Sequence, residues 1–342
     1  MLRVGLVAAA ILLISAASGP GDPYSIRANG LGAPLAIISD PFGDFIVSDR
    51  DSNRVWWATT DGRKQVITRE VPRPTGLGWD VFANLLIVGE HGVYKLNPQG
   101  KVSQLIVQDG LSDIALAPDG TLWVSDFGAP GDNQAPALRH YDAFGNPLSV
   151  VRLLLPSSGP DFIAVAPSGE VYFSTHGAAG GTTVYHLVGT QPQVIFNAPW
   201  TTYEIAIDAN GDFYLPSANA DAVYHYSRFG APLDNPFASV SAATGLAFGR
   251  NSDGTMNKRL FAVRFDGTLV ELNNSGVSNP GAPVGFATPA QIIRDLLRPG
   301  STLSDTQRRI MDQVGNRNGR FDVGDVRAFL ILNTTLSGSH AY

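Results

Sequence analysis

The residues best suited to chemistry fall into two groups. The first is Asp312-Gln313-Val314-Gly315-Asn316-Arg317-Asn318-Gly319-Arg320-Phe321-Asp322-Val323-Gly324-Asp325, near the C-terminus. With Gly319 as the sharp-turn glycine of a calcium loop, Asn316 and Asn318 precede it as oxygen donors. The Arg320 carbonyl follows, and Asp322 and Asp325 complete the set. Hard oxygen donors at this spacing converge because the chain curls round the ion. Val314 stands at the first ligand position and carries no donor, so Asp312 must reach in from two residues earlier. The alternative is an Asn/Gly-rich turn whose Asp322 and Asp325 cap a following helix. With so few carboxylates, the expected Ca2+ affinity is weak, about 10⁻⁴–10⁻³ M.

The second group is spread along the chain. Asp49, Glu90, His91, Asp126, His176, Asn219 and Arg264, with Arg50, Asp51 and Asp221, each come at or just after the end of a short apolar run. Asp113 and Glu204 come just before one. Arranged in a ring, these positions share one face, and oxygen donors round its channel could hold a divalent ion. Against that, Pro34, Gly76 and Gly245 stand at the positions matching Asp113 and Glu204. Asp49 and Asp126 also read as equivalent turn residues that bond neighbouring backbone. His140, His186 and His225 share one repeat position, so they are set round a ring and form no common metal cluster. No G-x-S-x-G, H-E-x-x-H or phosphate-loop pattern is present.

These side chains need a repeating scaffold, and the sequence supplies one. Asp113 to Asp126, DIALAPDGTLWVSD, is an apolar strand, a Pro-Asp-Gly turn and a second strand, a strong hairpin signal. The unit recurs about every 40 residues. Its first strands are at Leu35-Ala36-Ile37, Leu77-Gly78-Trp79, Ile114-Ala115-Leu116, Ile163-Ala164-Val165, Ile205-Ala206-Ile207 and Leu246-Ala247-Phe248. The middle residue is always Ala or Gly, as needed where innermost strands converge on an axis. A second strand, a third strand and a less regular fourth follow. Four strands in each of six units predict an all-β six-bladed propeller. Trp56, Trp57, Trp79, Trp123, Tyr172 and Tyr214 read as core between blades, and Trp200 as an exposed contact.

The repeat resembles the NHL propellers, through Gly43-Asp44-Phe45-Ile46-Val47-Ser48-Asp49 with Asn53-Arg54-Val55-Trp56, and through Asp119 to Asp126. Gluconolactonase-like relatives of that fold imply an ion at the channel mouth. After Ala287 the pattern becomes helical, with capping boxes at Thr288-Pro289-Ala290-Gln291 and Ser304-Asp305-Thr306-Gln307 and a third helix from about Val323. This piece, a small C-terminal all-α domain, resembles a dockerin module of EF-hand type. It departs from that family at Val314 and in having one loop instead of two. The expected division is an export signal at 1–18, a propeller at 19–285, a dockerin-like calcium module at 286–336 and a tail at 337–342.

Composition agrees with export. Arg3, the apolar run from Val4 to Ile14 and Ser15-Ala16-Ala17-Ser18 form a signal pattern, too short to span a membrane comfortably. The expected location is secreted or periplasmic, in a bacterium. The absence of cysteine removes thiolate ligands and nucleophiles. A net charge of −6 without a basic run argues against nucleic acid. The leading expectation is a secreted, non-catalytic recognition propeller for an extracellular ligand or protein. Its tail would bind Ca2+ and dock a partner, as an accessory in polysaccharide breakdown. The alternative is a metal-dependent lactonase or lyase with its ion at the channel mouth.

Overall fold

A computed structural model describes residues 22–97, 99–128, 135–155, 159–177, 180–251, 255–274, 276–280, 289–300, 303, 305–315 and 317–327. The signal at 1–18, Asn316 and the tail at 337–342 lie outside them. Six four-stranded antiparallel sheets form the blades of a propeller. Blades 1 to 5 span 34–68, 77–107, 111–152, 160–198 and 206–239, each a meander whose first strand is innermost. The predicted first strands fall inside observed ones, except that in blade 5 the strand is only Ala206–Ile207 and leaves Ile205 just outside.

Blade 6 is built from both ends of the chain. Its three inner strands are Ala243–Arg250, Met256–Arg264 and Thr268–Leu272. Its outer strand is Tyr24–Ala28, which pairs Tyr24 with Leu272 and Ile26 with Val270. Glu271 anchors this seam, taking bonds from Arg27 at 2.8 Å and Arg259 at 2.6 Å. This closure leaves no inner edge open, which is how a propeller avoids exposed strand edges.

The core is not central. It consists of apolar slabs between neighbouring blades, such as Ala36, Ile46, Leu77 and Ile87 between blades 1 and 2, and Leu138, Ile163, Val171 and Phe173 between blades 3 and 4. The small residues of the inner strands let those strands approach. A Cβ on Gly78 would lie 3.3 Å from Ile114 Cγ2 of the next blade.

The serine of the Val-Ser-Asp motif rivets adjacent blades. Ser48 Oγ accepts from Ala36 N–H at 3.1 Å and donates to the Thr75 carbonyl of blade 2 at 2.7 Å. Ser125 Oγ does the same between Asp113 N–H at 2.9 Å and the Asp161 carbonyl at 3.1 Å. Both are fully buried, so each hydroxyl satisfies backbone groups that would otherwise be unpaired.

Beyond the propeller, helices α1 (Pro289–Leu297) and α2 (Asp305–Val314) and a helical stretch at 323–327 share a small core of Ile292, Leu303, Met311 and Val326. Buried Asp295 ties the two helices together, bonding Arg308 at 2.7 Å and Leu303 N–H at 3.1 Å. Among the described residues, no helix is long and apolar enough to cross a membrane.

Candidate functional site

The inner strands of blades 3, 4 and 5 bring acids to the hub. Asp113 is buried, 4% exposed. Its Oδ1 accepts from Ile114 N–H at 2.8 Å and its Oδ2 from Ile163 N–H of blade 4 at 3.0 Å. The Glu204 carboxylate of blade 5 is held by the amides of Ile205 and of Ile37 in blade 1. It therefore crosses the hub past blade 6, and it keeps some contact with solvent in the channel. Burial pushes the Asp113 carboxyl up to about 7, against the opposing pull of its two amide bonds. Glu204 is pushed well above its usual value, first by burial and then by the charge of Asp113. Each carboxyl group therefore resists ionisation, and Glu204 more so when Asp113 is charged.

A second acid–base pair stands beside them. Asp161 Oδ2 accepts the His176 backbone N–H at 3.0 Å and lies 3.2 Å from His176 Nδ1. His176 Nε2 faces the Thr202 carbonyl at 2.7 Å, so that nitrogen carries the N–H, and Nδ1 faces the Asp161 carboxyl. Burial raises the Asp161 carboxyl, opposed by the charge of His176. Phe162, His176 and Tyr203 form an aromatic wall here, with ring centroids 6.0–6.4 Å apart.

Sequence reasoning found Asp113, Glu204 and His176 but missed Asp161. The pairing of Pro160 with Thr175 and of Phe162 with Ser174 leaves Asp161 as a bulged residue at the strand start. A bulge re-aims a side chain, and the aligned column preceding Ile163 holds Phe162 instead.

The other expected face residues do not join this group. Asp49 is buried and turns Oδ1 toward Ala33 and Ser52 N–H groups. Asp126 accepts from Gly128 N–H at 2.9 Å and Arg139 at 2.6 Å. Both match the turn-bracing alternative. Glu90 is exposed and borders a shallow cleft with Arg50 and Arg73. His91 pairs with Asp109 on the surface at 3.1 Å. Asn219 accepts from Thr201 N–H and Ser217 Oγ. Arg264 donates to the Ser241 carbonyl and hydroxyl beside the blade 6 seam. Trp200, expected to be exposed, is buried, because its ring stacks on Tyr224 with centroids 4.1 Å apart.

His140, His186 and His225 lie on three different blades, stacked on Trp123, Tyr172 and Tyr214 of their own sheets. Among the described residues, no three acids or imidazoles of the channel mouth bring ligand atoms within 4.8 Å of one another. Asp113 and Glu204 are nonetheless hard donors whose oxygens keep spare lone pairs. That set suits a small, partly hydrated divalent ion, which takes one or two carboxylates and retains waters. A cleft of about 710 Å³ lies elsewhere, between blades 1 and 2 at the far ends of their inner strands, and is lined by Phe42, Trp57, Trp79 and Leu96.

In the C-terminal loop, both Asp312 oxygens accept from Gly319 N–H, at 3.1 and 3.0 Å. Asn318 Nδ2 donates to Asp322 Oδ2 at 2.7 Å, and Asp325 Oδ2 accepts from Asp322 N–H at 2.7 Å. Asp322 Oδ1 accepts from Gly324 N–H, the bond of a helix cap. Arg320 is exposed and donates its N–H to Asn318.

No family model matches the chain, and no curated protein matches it by sequence. Solved structures do match. A gluconolactonase from Xanthomonas campestris is 15% identical with a TM-score of 0.61, over 73% of this chain and 89% of that one. Regucalcin from Agrobacterium tumefaciens, a calcium-binding protein, is 18% identical with a TM-score of 0.58, over 77% and 98%. A catalytically inactive virginiamycin B lyase from Staphylococcus aureus, solved with quinupristin, is 16% identical with a TM-score of 0.51, over 71% and 81%. At such identities the likeness speaks for the fold, and the chain is a six-bladed β-propeller matching the gluconolactonase- and regucalcin-type structures.

Proposed function

We propose that the chain is an enzyme that opens cyclic esters, as a lactonase or a lyase, at the channel mouth. The observation that carries this reading is the Asp113–Glu204 pair, a buried carboxyl titrating at about 7 beside a second raised one. A general acid–base group works best with its pKa near the working pH. Ring opening by water and ring opening by elimination both need a base to take a proton and an acid to protonate the departing oxygen. With one carboxyl group protonated and the other ionised, the pair would provide both states at once. The Asp161–His176 pair offers a second place to hold a proton, and the Phe162–Tyr203 wall offers an apolar surface. In the metal-dependent form of this reading Asp113 and Glu204 would both be ionised and hold a divalent ion that would polarise the ester carbonyl, and the proton would be held by the Asp161–His176 pair. The similar gluconolactonase and lyase structures support a catalytic reading over a recognition accessory.

The test is turnover of a panel of sugar lactones and cyclic depsipeptides, with product mass separating hydrolysis from elimination. Asp113→Asn and Glu204→Gln should each lower kcat by at least about 100-fold, the scale of general acid–base catalysis. Turnover unchanged in both variants would end the proposal. Turnover of no compound by the wild type would return the chain to the recognition reading.

For the tail we propose weak Ca2+ binding. The supporting observation is Asp312, which folds back onto the Gly319 amide and so fills the place Val314 leaves empty. Calorimetry on the full chain should show millimolar-range Ca2+ heat that Asp322→Ala together with Asp325→Ala removes. Identical heat in that double variant would assign the binding elsewhere. Export and docking of a protein partner through the tail stay with this proposal as its expected setting.

A further inference from the structure

Two Asp-x-x-x-Asn turns in the propeller, the first of them buried, show how a turn carboxylate is satisfied. In blade 2, Asp80 Oδ1 takes the N–H groups of Phe82 and Asn84, and Asp80 Oδ2 takes the Asn84 side-chain amide at 2.7 Å. In blade 3, Asp142 and Asn146 repeat the arrangement with a side-chain bond of 2.8 Å. Blade 5 keeps the backbone half. Asp208 Oδ1 takes Asn210 N–H at 2.8 Å and Asp212 N–H at 2.9 Å. Its fifth residue is Asp212, however, so a second carboxylate stands where an amide donor belongs. Asp208 is fully buried, and its Oδ2 makes no hydrogen bond.

The third-strand residue facing this turn is His225, 5% exposed, whose Nε2 also makes no hydrogen bond. One ligand atom from each of Asp208, Asp212 and His225 lies within 4.8 Å of the others. The Asp234 carboxylate sits 3.3 Å from His225 Nδ1, which makes Nδ1 the N–H and turns the Nε2 lone pair toward the two aspartates. The equivalent histidines are otherwise engaged, His140 Nε2 with Thr121 Oγ1 at 2.7 Å and His186 Nε2 with Glu170 at 4.0 Å. Blade 1 also has an aspartate at the fifth place, Asp44, but its Asp40 is served by Trp57 and by the charge of Arg250. Blade 5 combines a buried orphan oxygen, an orphan imidazole nitrogen, a second carboxylate and a carboxylate behind the imidazole.

We propose that Asp208, Asp212 and His225 bind a divalent transition-metal ion of the zinc class, with Asp234 orienting the imidazole. Two carboxylates and one imidazole form a three-ligand set that leaves a fourth position for water, a zinc preference, whereas a calcium site would be all oxygen. The carboxylate behind the histidine is the usual support of a metal-bound imidazole. The Ser278 hydroxyl is within hydrogen-bonding reach of the Asp208 carboxylate and Arg228 N–H donates to Asp212 Oδ1 at 2.9 Å, so an ion here would take the remaining lone pairs and the His225 Nε2, which makes no hydrogen bond. The site is at the opposite end of the inner strands from Asp113 and Glu204, and it does not depend on the reading of the channel.

The experiment is zinc binding to the full chain by equilibrium dialysis, with Co2+ absorption as a second readout of imidazole ligation. Asp212→Asn rebuilds the turn of blade 2, so the variant should fold. It should hold one equivalent of Zn2+ fewer than the wild type. Asp234→Asn should keep that equivalent and bind it about 10–100-fold more weakly. Asp113→Asn should leave the site unchanged. Equal zinc content and affinity in the wild type and Asp212→Asn, or no zinc bound by the wild type, overturns the proposal.

Discussion

Asp113→Asn will flatten the pH dependence of folding stability. The wild-type carboxyl titrates at about 7 in the native state and at 3.8 when exposed, so the native state resists its ionisation. A raised native value means that stability is fully present below the unfolded value and is lost as pH rises through the native one. The window is therefore about pH 4 to 7, and the loss is bounded at about 4 kcal/mol for three units. Asn mimics the protonated acid in shape. Its amide nitrogen cannot accept one of the two backbone N–H bonds, so the variant should be less stable than the wild type near pH 5, but its stability should stay level as pH rises to 8.5 while that of the wild type falls. Urea midpoints across that range, taken in chelator so that no cation relieves the pair, will check this. Asp80, pushed by burial to about 6, acts in the same direction and leaves a smaller residual slope. Glu271 acts oppositely: burial raises it, but Arg259 and Arg27 outweigh that and hold it low. A wild-type midpoint that climbs between pH 5 and 8 would contradict the raised acids.

Gly76→Ala will disrupt the hub. An added Cβ would lie 2.3 Å from Asp113 Oδ1, 2.6 Å from Asp113 Cα and 3.1 Å from the Ser112 carbonyl. Backbone on the far side cannot rotate away as a flexible side chain would. Gly76 N–H also donates to Ser112 O at 3.2 Å, and Val88 N–H donates to Gly76 O at 2.9 Å. Relief must come from parting blades 2 and 3, which moves Asp113 as well. The expected cost is about 3 kcal/mol, at the upper end of overpacking, together with loss of turnover. Chemical denaturation with a stability change under about 1 kcal/mol would mean the hub can yield.

The propeller was legible because its rules are local. A Gly-containing turn between two apolar runs, repeated with a small residue at the hub, fixes strand order without long-range information. The outer strand of blade 6 was not legible, since Tyr24–Ala28 finds its partner across nearly the whole chain. The site divides in the same way. Asp113 and Glu204 stood in an aligned column and could be read. Asp161 was displaced from that column by a bulge. The blade 5 cluster joins a turn, a strand and an outer strand through His225 and Asp234, and only pairing in space brings those together. Trp200 is buried although it lies in a connecting segment, because that segment packs its ring over Tyr224.

The seam in blade 6 has a consequence for biosynthesis. Among the described strands, Tyr24–Ala28 is made first and has no partner until Thr268–Leu272 has been made. Until then five sheets can assemble in order, but the circle stays broken and the last sheet lacks its rim. Joining the two ends is thus a late step of high contact order, expected to be slower than forming any single meander.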